Sequence, residues 1–321
     1  MSDSNQFDVF TGHLGHLTPS QYTALQSFRE SLEKGHLYFP STDGLPASHD
    51  DTTLLRFLRA RGFDPRAAYT QFAAAQAWKR QHDVERLYTT SDPIELKDSR
   101  RFYPRWTGRR DKNGLPVFVY KISSLGTMQK ELNAVPAEKR YKLSSKSPVR
   151  IALYEYLTRF TLPLCSSLPH KDATTPISST ISIIDLKDVS FGTVWNLRSH
   201  LQEASRLATA NYPETLGMIV IVNSPSFFPT IWTWLKGWFD EGTQKKIYVL
   251  GKEPGQRLRE IVDAKHLPRE YGGELDWTFE DEPLLDEATA QVIDEVPPGP
   301  VVFVDGVVLH ASQLESNKLN N

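Results

Sequence analysis

The sequence predicts an α/β fold: a small all-helical amino-terminal unit followed by a mixed, largely parallel sheet with crossover helices. Three observations carry this expectation. The first ~95 residues hold helix signals and no strand signals. From Arg100 onward, β-rich runs at 115–122, 177–186, 218–222 and 247–250 alternate with helical stretches at 149–160, 191–210, 227–239 and 254–264. That alternation is the order of strand–crossover–strand units. The run Met218-Ile219-Val220-Ile221-Val222 is short, apolar and bounded by turn residues, which marks a buried strand.

The elements follow in order. Residues 1–16 are polar and are expected to be a mobile amino terminus. Thr18-Pro19-Ser20-Gln21 reads as a helix start, with Thr18 as N-cap, Pro19 in the first turn and Gln21 completing a capping box. Tyr22, Leu25, Phe28 and Leu32 supply its apolar stripe. After a turn through Pro40, Gly44 and Pro46, the stretch Asp51-Thr52-Thr53-Leu54-Leu55-Arg56-Phe57-Leu58-Arg59-Ala60-Arg61 directs its leucines inward and lines its other side with arginine. Gly62 stops that helix, and Asp64-Pro65 opens the next, through Tyr69, Phe72 and Trp78. The helical unit is set at 17–98 and the α/β domain at 99–275. An acidic extension at 276–321 carries a hairpin signal, Asp305-Gly306, between two apolar runs.

The segment 227–239 stands apart. At about 100° per residue, Phe227, Phe228, Ile231, Trp232, Trp234, Leu235, Trp238 and Phe239 fall within an arc of roughly 160°. Such a wide aromatic face must be covered by protein, by lipid or by a membrane.

Composition narrows the function. The chain of 321 residues carries a net charge of −2, which argues against nucleic-acid binding through general phosphate neutralisation and against purely electrostatic membrane attachment. A single cysteine, Cys165, forbids an internal disulfide and suits a reducing compartment. No apolar run approaches the ~20 residues of a membrane span, and the opening residues lack a secretory pattern. A cytoplasmic protein with peripheral contact to internal membranes is expected. Catalytic patterns fail: there is no G-x-S-x-G, no H-E-x-x-H and no cysteine-based zinc cluster. Gly237 and Gly242 have the spacing of a phosphate loop, but Thr243 stands where its lysine belongs. No enzyme and no cofactor are expected.

Several blocks converge on one family. Leu54-Leu55-Arg56-Phe57-Leu58-Arg59-Ala60-Arg61, Ile184-Asp185-Leu186-Lys187, Asn211-Tyr212-Pro213-Glu214, Ile221-Val222-Asn223-Ser224-Pro225 and Leu267-Pro268-Arg269-Glu270-Tyr271-Gly272-Gly273 resemble the CRAL-TRIO lipid-binding family. The likeness is strongest to its fungal phosphatidylinositol/phosphatidylcholine transfer proteins. It runs in order from about residue 50 to 273. The resemblance implies a helical tripod and a mixed sheet that, with its helices, encloses an apolar lipid cavity. It also implies that 227–239 is a movable gate over that cavity.

The resemblance further implies a phosphatidylinositol headgroup site at Arg61, Glu214, Thr243 and Lys246. The chemistry is coherent: Lys246 and Arg61 offer charge-assisted donors to a phosphodiester, Thr243 a hydroxyl, and Glu214 an acceptor for inositol hydroxyls. Taken singly, Arg61 reads equally as a solvated helix-end cation, Glu214 as a first-turn acid and Lys246 as a surface lysine. Gly62 departs from the family, where lysine is common. A second-lipid site is implied at Tyr154, Thr180 and Ser182, with Trp106 and Phe118 standing at two positions the family fills with tyrosine. Aromatic faces there still attract a choline cation, and the same residues also read as ordinary core.

The function so implied is exchange of phosphatidylinositol and a second lipid, phosphatidylcholine among the candidates. Its partners would be a phospholipid, a transient membrane surface and phosphoinositide kinases, with no nucleic acid. The competing readings are a lipid-sensing adaptor that uses the extension after Asp276 as its partner site, and, disfavoured, a lipid-modifying enzyme.

Overall fold

The computed structural model describes residues 10–42, 46–126, 146–238 and 241–313. Five helices build the amino-terminal half: α1 (Pro19–Lys34), α2 (Asp51–Arg59), α3 (Pro65–Gln81), α4 (Val84–Thr89) and α5 (Pro93–Arg100). The capping box at Thr18 and Gln21 forms, and Asp50 and Asp64 cap α2 and α3 through their side chains. Leu25, Phe28, Leu32, Leu54, Leu55, Leu58 and Phe72 make one core, because their spacing places them on facing helix stripes.

The sheet has five strands in sequential order: β1 (Arg105–Arg110), β2 (Pro116–Lys121), β3 (Thr180–Asp185), β4 (Leu216–Val222) and β5 (Ile247–Gly251). β1 runs antiparallel to β2, and the other pairs are parallel. Sequence periodicity does not reveal β1, since Arg105-Trp106-Thr107-Gly108-Arg109-Arg110 has no apolar alternation. It is held by pairing to β2 and by a bulge at Gly108. Gly108 has φ +82°, and a side chain there would meet the backbone of Leu284 at 2.6 Å, so only glycine fits.

Between the strands lie α6 (Lys146–Tyr156), which continues through a π turn (Leu157–Thr161) into α7 (Leu162–Ser167), then α8 (Phe191–Asn211) and α9 (Phe228–Leu235). A short α10 (Glu241–Gln244) precedes β5, and α11 (Gly255–Ile261) follows it. The period of two along the strands sorts their side chains. Val117, Val119, Ile181, Ile183, Val220 and Val222 pack on one face against Leu258, Val262, Leu267 and Tyr271. Tyr120, Ser182, Ile184, Ile219 and Ile221 point to the other face, beneath α8 and α9.

The motif blocks between these elements have structural work. The Asp185 carboxylate, 1% exposed, accepts from Asn223 at 2.8 Å and from the Tyr271 hydroxyl at 3.0 Å, tying the ends of β3 and β4 to the Gly272-Gly273 turn.

The described part of the amino terminus and the carboxy-terminal extension are both docked. Residues 10–16 do not fit a mobile terminus: Phe10 is buried and stacks on His16, His16 bonds Asp172 at 2.5 Å, and Thr175 donates to the Leu14 carbonyl at 2.9 Å. The composition of the whole segment is polar, but one phenylalanine and one leucine are enough to seat it. In the extension, α12 (Glu287–Ala290) is followed by a hairpin of β6 (Val301–Val304) and β7 (Val307–His310). Its turn, Asp305-Gly306, has two positive φ angles, as a tight hairpin of the right twist requires. The Tyr88 hydroxyl donates to the Val301 carbonyl at 2.5 Å and accepts from the Val301 amide at 3.0 Å. The Arg110–Asp286 ion pair, 3.1 Å long and nearly excluded from solvent, holds the start of the extension to β1.

Candidate functional site

A cavity of about 270 Å³ lies between the sheet and helices α8 and α9. Its middle is aliphatic, lined by Ile184, Ile219, Ile221, Leu201 and Ile231. Arg61, Glu214, Thr243 and Lys246, far apart in the chain, all line it, together with the polar side chains of Tyr154, Ser182 and Ser205.

The end of α8 places Glu214. Tyr212 stacks on Tyr154 with ring centroids 4.7 Å apart, and its hydroxyl donates to Glu155 Oε1 at 2.7 Å. Glu155 is 1% exposed and also pairs with Lys79 and Arg159, both at 2.7 Å. Burial alone would raise its pKa, but these two cations hold it down at about 2. The network ties α3, α6 and α8 together and leaves Glu214 just beyond Pro213 with φ +58°, a left-handed conformation uncommon for glutamate. Its Oε2 then accepts from Lys246 Nζ at 2.8 Å, while Lys246 also donates to the Leu216 carbonyl at 3.2 Å.

The arginine that faces this carboxylate is Arg59, which the sequence reading did not single out. Its Nε lies 3.6 Å from Glu214 Oε2, and Nη2 donates to Ser178 at 3.2 Å. Burial pushes the Arg59 pKa down to about 10 against the pull of Glu214. Arg61 instead sits exposed at the rim, its Nη1 donating to the Ala60 carbonyl at 2.9 Å. The sequence carries part of the signal, since Arg59 lies one turn after Leu55 on the same helix face, but that the helix ends at Arg59 and leaves Arg61 beyond it is set by the structure. His13, from the docked amino-terminal segment, is a second residue outside the expected set. Burial and the nearby Arg59 push its pKa down to about 3, so it is neutral at ordinary pH.

The other expected residues divide. Tyr154 and Ser182 line the cavity, and burial raises the Tyr154 pKa to about 12. Thr180 is 2% exposed, with its hydroxyl 3.4 Å from the Thr215 carbonyl and 3.5 Å from Ser182 Oγ, behind the lining rather than on it. Trp106 and Phe118 are not brought to the cavity. They face each other across β1 and β2 and pack with Leu115, Phe160 and Leu164 in a solid core. The Trp106 indole N–H is spent on the Arg109 carbonyl at 2.9 Å.

In the aromatic segment, Phe227, Phe228, Ile231 and Trp232 line the cavity. Trp234, at one margin of the arc, is 47% exposed and makes edge contacts with Phe191 and Trp195 of α8, themselves 42% and 48% exposed. The helix ends at Leu235 and tightens into a 3₁₀ turn (Lys236–Trp238), so the helical phase does not extend over the whole of 227–239. The side chains of Leu235 and Trp238, and all of Phe239, lie outside the described residues. Among the described residues no helix is long and apolar enough to cross a membrane.

A sheet covered on both faces, with an apolar cavity that also has charged residues in its lining, suits a small-molecule binding protein. Comparison with known proteins gives its family. Residues 103–273 match the CRAL/TRIO domain and residues 24–74 the CRAL/TRIO, N-terminal domain. The chain belongs to the CRAL-TRIO lipid-binding family. It is 30% identical over 268 residues to a SEC14 cytosolic factor of Eremothecium gossypii, covering 83% of this chain and 80% of that one. It is likewise 30% identical over 265 residues to the Sec14 cytosolic factor of Schizosaccharomyces pombe, covering 82% and 85%. A phosphatidylinositol/phosphatidylcholine transfer protein of Arabidopsis thaliana, SFH7, is 29% identical over 254 residues, which are 78% of this chain and 43% of that one. The crystal structure of Sfh5 shares the fold, with a TM-score of 0.60 at 15% identity over 94% of this chain and 98% of that one.

Proposed function

We propose that this protein extracts phosphatidylinositol from one membrane, shields its acyl chains in the cavity and releases it at another, presenting it to phosphoinositide kinases. The observation that carries the reading is the make-up of the cavity: aliphatic walls under an aromatic helix, with Arg61, Glu214, Thr243 and Lys246 in its lining and Arg59 3.6 Å behind Glu214. A phosphodiester would compete with Glu214 for Lys246, and the inositol hydroxyls would take the carboxylate in exchange. Two acyl chains bury on the order of 30 methylenes, worth roughly 24 kcal/mol at ~0.8 each. Opening in water would forfeit that stabilisation, so α9 opens against a bilayer. Trp234, already exposed, would enter the headgroup layer, where amphipathic rings are favoured.

The second lipid is proposed to sit near Tyr154 and Ser182. Because Trp106 is buried and the half-buried Phe118 packs against the same core rather than lining the cavity, this subsite offers a choline fewer aromatic faces than the resemblance implied. Mass spectrometry of lipids extracted from the purified chain is the first test, with phosphatidylinositol expected. Lys246→Ala is expected to lower phosphatidylinositol transfer between vesicles at least tenfold and transfer of a second lipid much less. Equal loss of both would mean damage to the fold rather than to a headgroup site.

A further inference from the structure

A second cavity, of about 380 Å³, lies between α2, α7, the residues entering β3 and the tip of the β6–β7 hairpin. Its wall mixes Leu162, Ile177 and Phe303 with the hydroxyl residues Thr52, Thr53 and Ser178, and it includes Arg56. That side chain is 8% exposed, and its Nη1 has no hydrogen-bond partner. Among the described residues no carboxylate forms an ion pair with it. Its one side-chain contact is a long one, Nη2 to the Thr53 hydroxyl at 3.5 Å. Burying a guanidinium without a direct ion pair is costly, and burial lowers its pKa even though the charges of Asp50 and Glu155 pull it up.

The hydroxyls around it are set to donate. Thr53 Oγ1 accepts from Arg56, and Ser178 Oγ accepts from Arg59 at 3.2 Å, so each has its own proton left to give. Thr52 lies one helical turn before Arg56, on the same face of α2. Asp50, the N-cap of that helix, accepts from the Thr53 amide at 2.8 Å, and Asp51 in its first turn pairs with Arg29. The other acid in the wall, Asp305, sits exposed at the hairpin turn.

The geometry points to a binding site for a small soluble oxyanion, a free phosphate or a phosphate monoester, held by Arg56 with the hydroxyls of Thr52, Thr53 and Ser178. A tetrahedral oxyanion presents several strong acceptors, which match one guanidinium edge and three O–H groups. The walls come from the helical unit, the α/β domain and the extension together, so occupation links all three. Ser178 also bonds Arg59, which puts the site one residue from the lipid headgroup cluster.

The test is calorimetric titration of inorganic phosphate, and in a separate arm glycerol 1-phosphate, into the full chain carrying Lys246→Ala. That background removes a cation of the lipid mouth as a competing phosphate site. Saturable binding in either arm is expected, the tighter arm telling free phosphate from a monoester. Thr52→Val should weaken binding about tenfold, and Arg56→Leu should abolish it. Should Arg56→Leu fail to fold by circular dichroism, the Thr52→Val result decides alone. Absence of binding in both arms, an affinity unchanged by Thr52→Val, or equal displacement by chloride at matched ionic strength would overturn the proposal.

Discussion

The two faces of the sheet are made from the same strands and end up doing opposite things. On one face Ile181, Ile183, Val220 and Val222 meet α11 and the turns around Tyr271 with no gap, each 1% exposed or less. On the other, Ile184, Ile219 and Ile221 look into a cavity, because α8 and α9 stand off the sheet. The apolar residue types are nearly interchangeable between the faces, so hydrophobicity does not separate a packed core from a binding site. What separates them is the geometry of the covering helices and the network that fixes it.

That contrast can be broken most sharply by adjacent residues of β3. Ile183→Ala should cost ~2–5 kcal/mol of stability in urea unfolding, as for truncation in a close-packed core. The Glu155 network comes next, because it holds α3, α6 and α8 in their stand-off positions. Its carboxyl pKa, about 2, is depressed from 4.5, so its contribution is fully present above pH 4.5 and is lost as pH falls through about 2. Between those values wild type should lose on the order of 3 kcal/mol more than Glu155→Gln, read as the difference between their urea midpoints across pH. Ile184→Ala should have the smallest effect on stability, less than about 2 kcal/mol, since its removed methyls faced space rather than packed atoms. Equal costs at Ile183 and Ile184 would mean that the cavity face is packed after all.

Much of the architecture was legible because it is written at short range. Helix caps at Thr18, Asp50 and Asp64, the apolar runs of β3, β4 and β5 and the Asp305-Gly306 turn all depend on residues within a few positions of each other. β1 was not legible, because its arginines carry no alternation and its pairing partner supplies the strand. The lipid mouth was legible only as an ordered set of motifs. The set did not distinguish Arg59 from Arg61, since only the helix end at Arg59 decides which guanidinium turns inward toward Glu214. Of the two readings open for Trp106 and Phe118, cavity or core, the structure supports core, and strand alternation could not decide it because it gives the face of a side chain but not the depth of what covers it.

The sequence by itself determined the element order, the two-sided burial of the central strands and the residue types available to a charged cavity mouth. Tertiary structure decided the rest. It brought Glu214 within 2.8 Å of Lys246, closed the aromatic helix over the cavity with Trp234 left outside, seated residues 10–16, and left Arg56 in a pocket of hydroxyls. The physical reason is that local preferences are set by neighbours in the chain, whereas desolvation, ion pairing and the stand-off between helix and sheet are set by groups far apart in it.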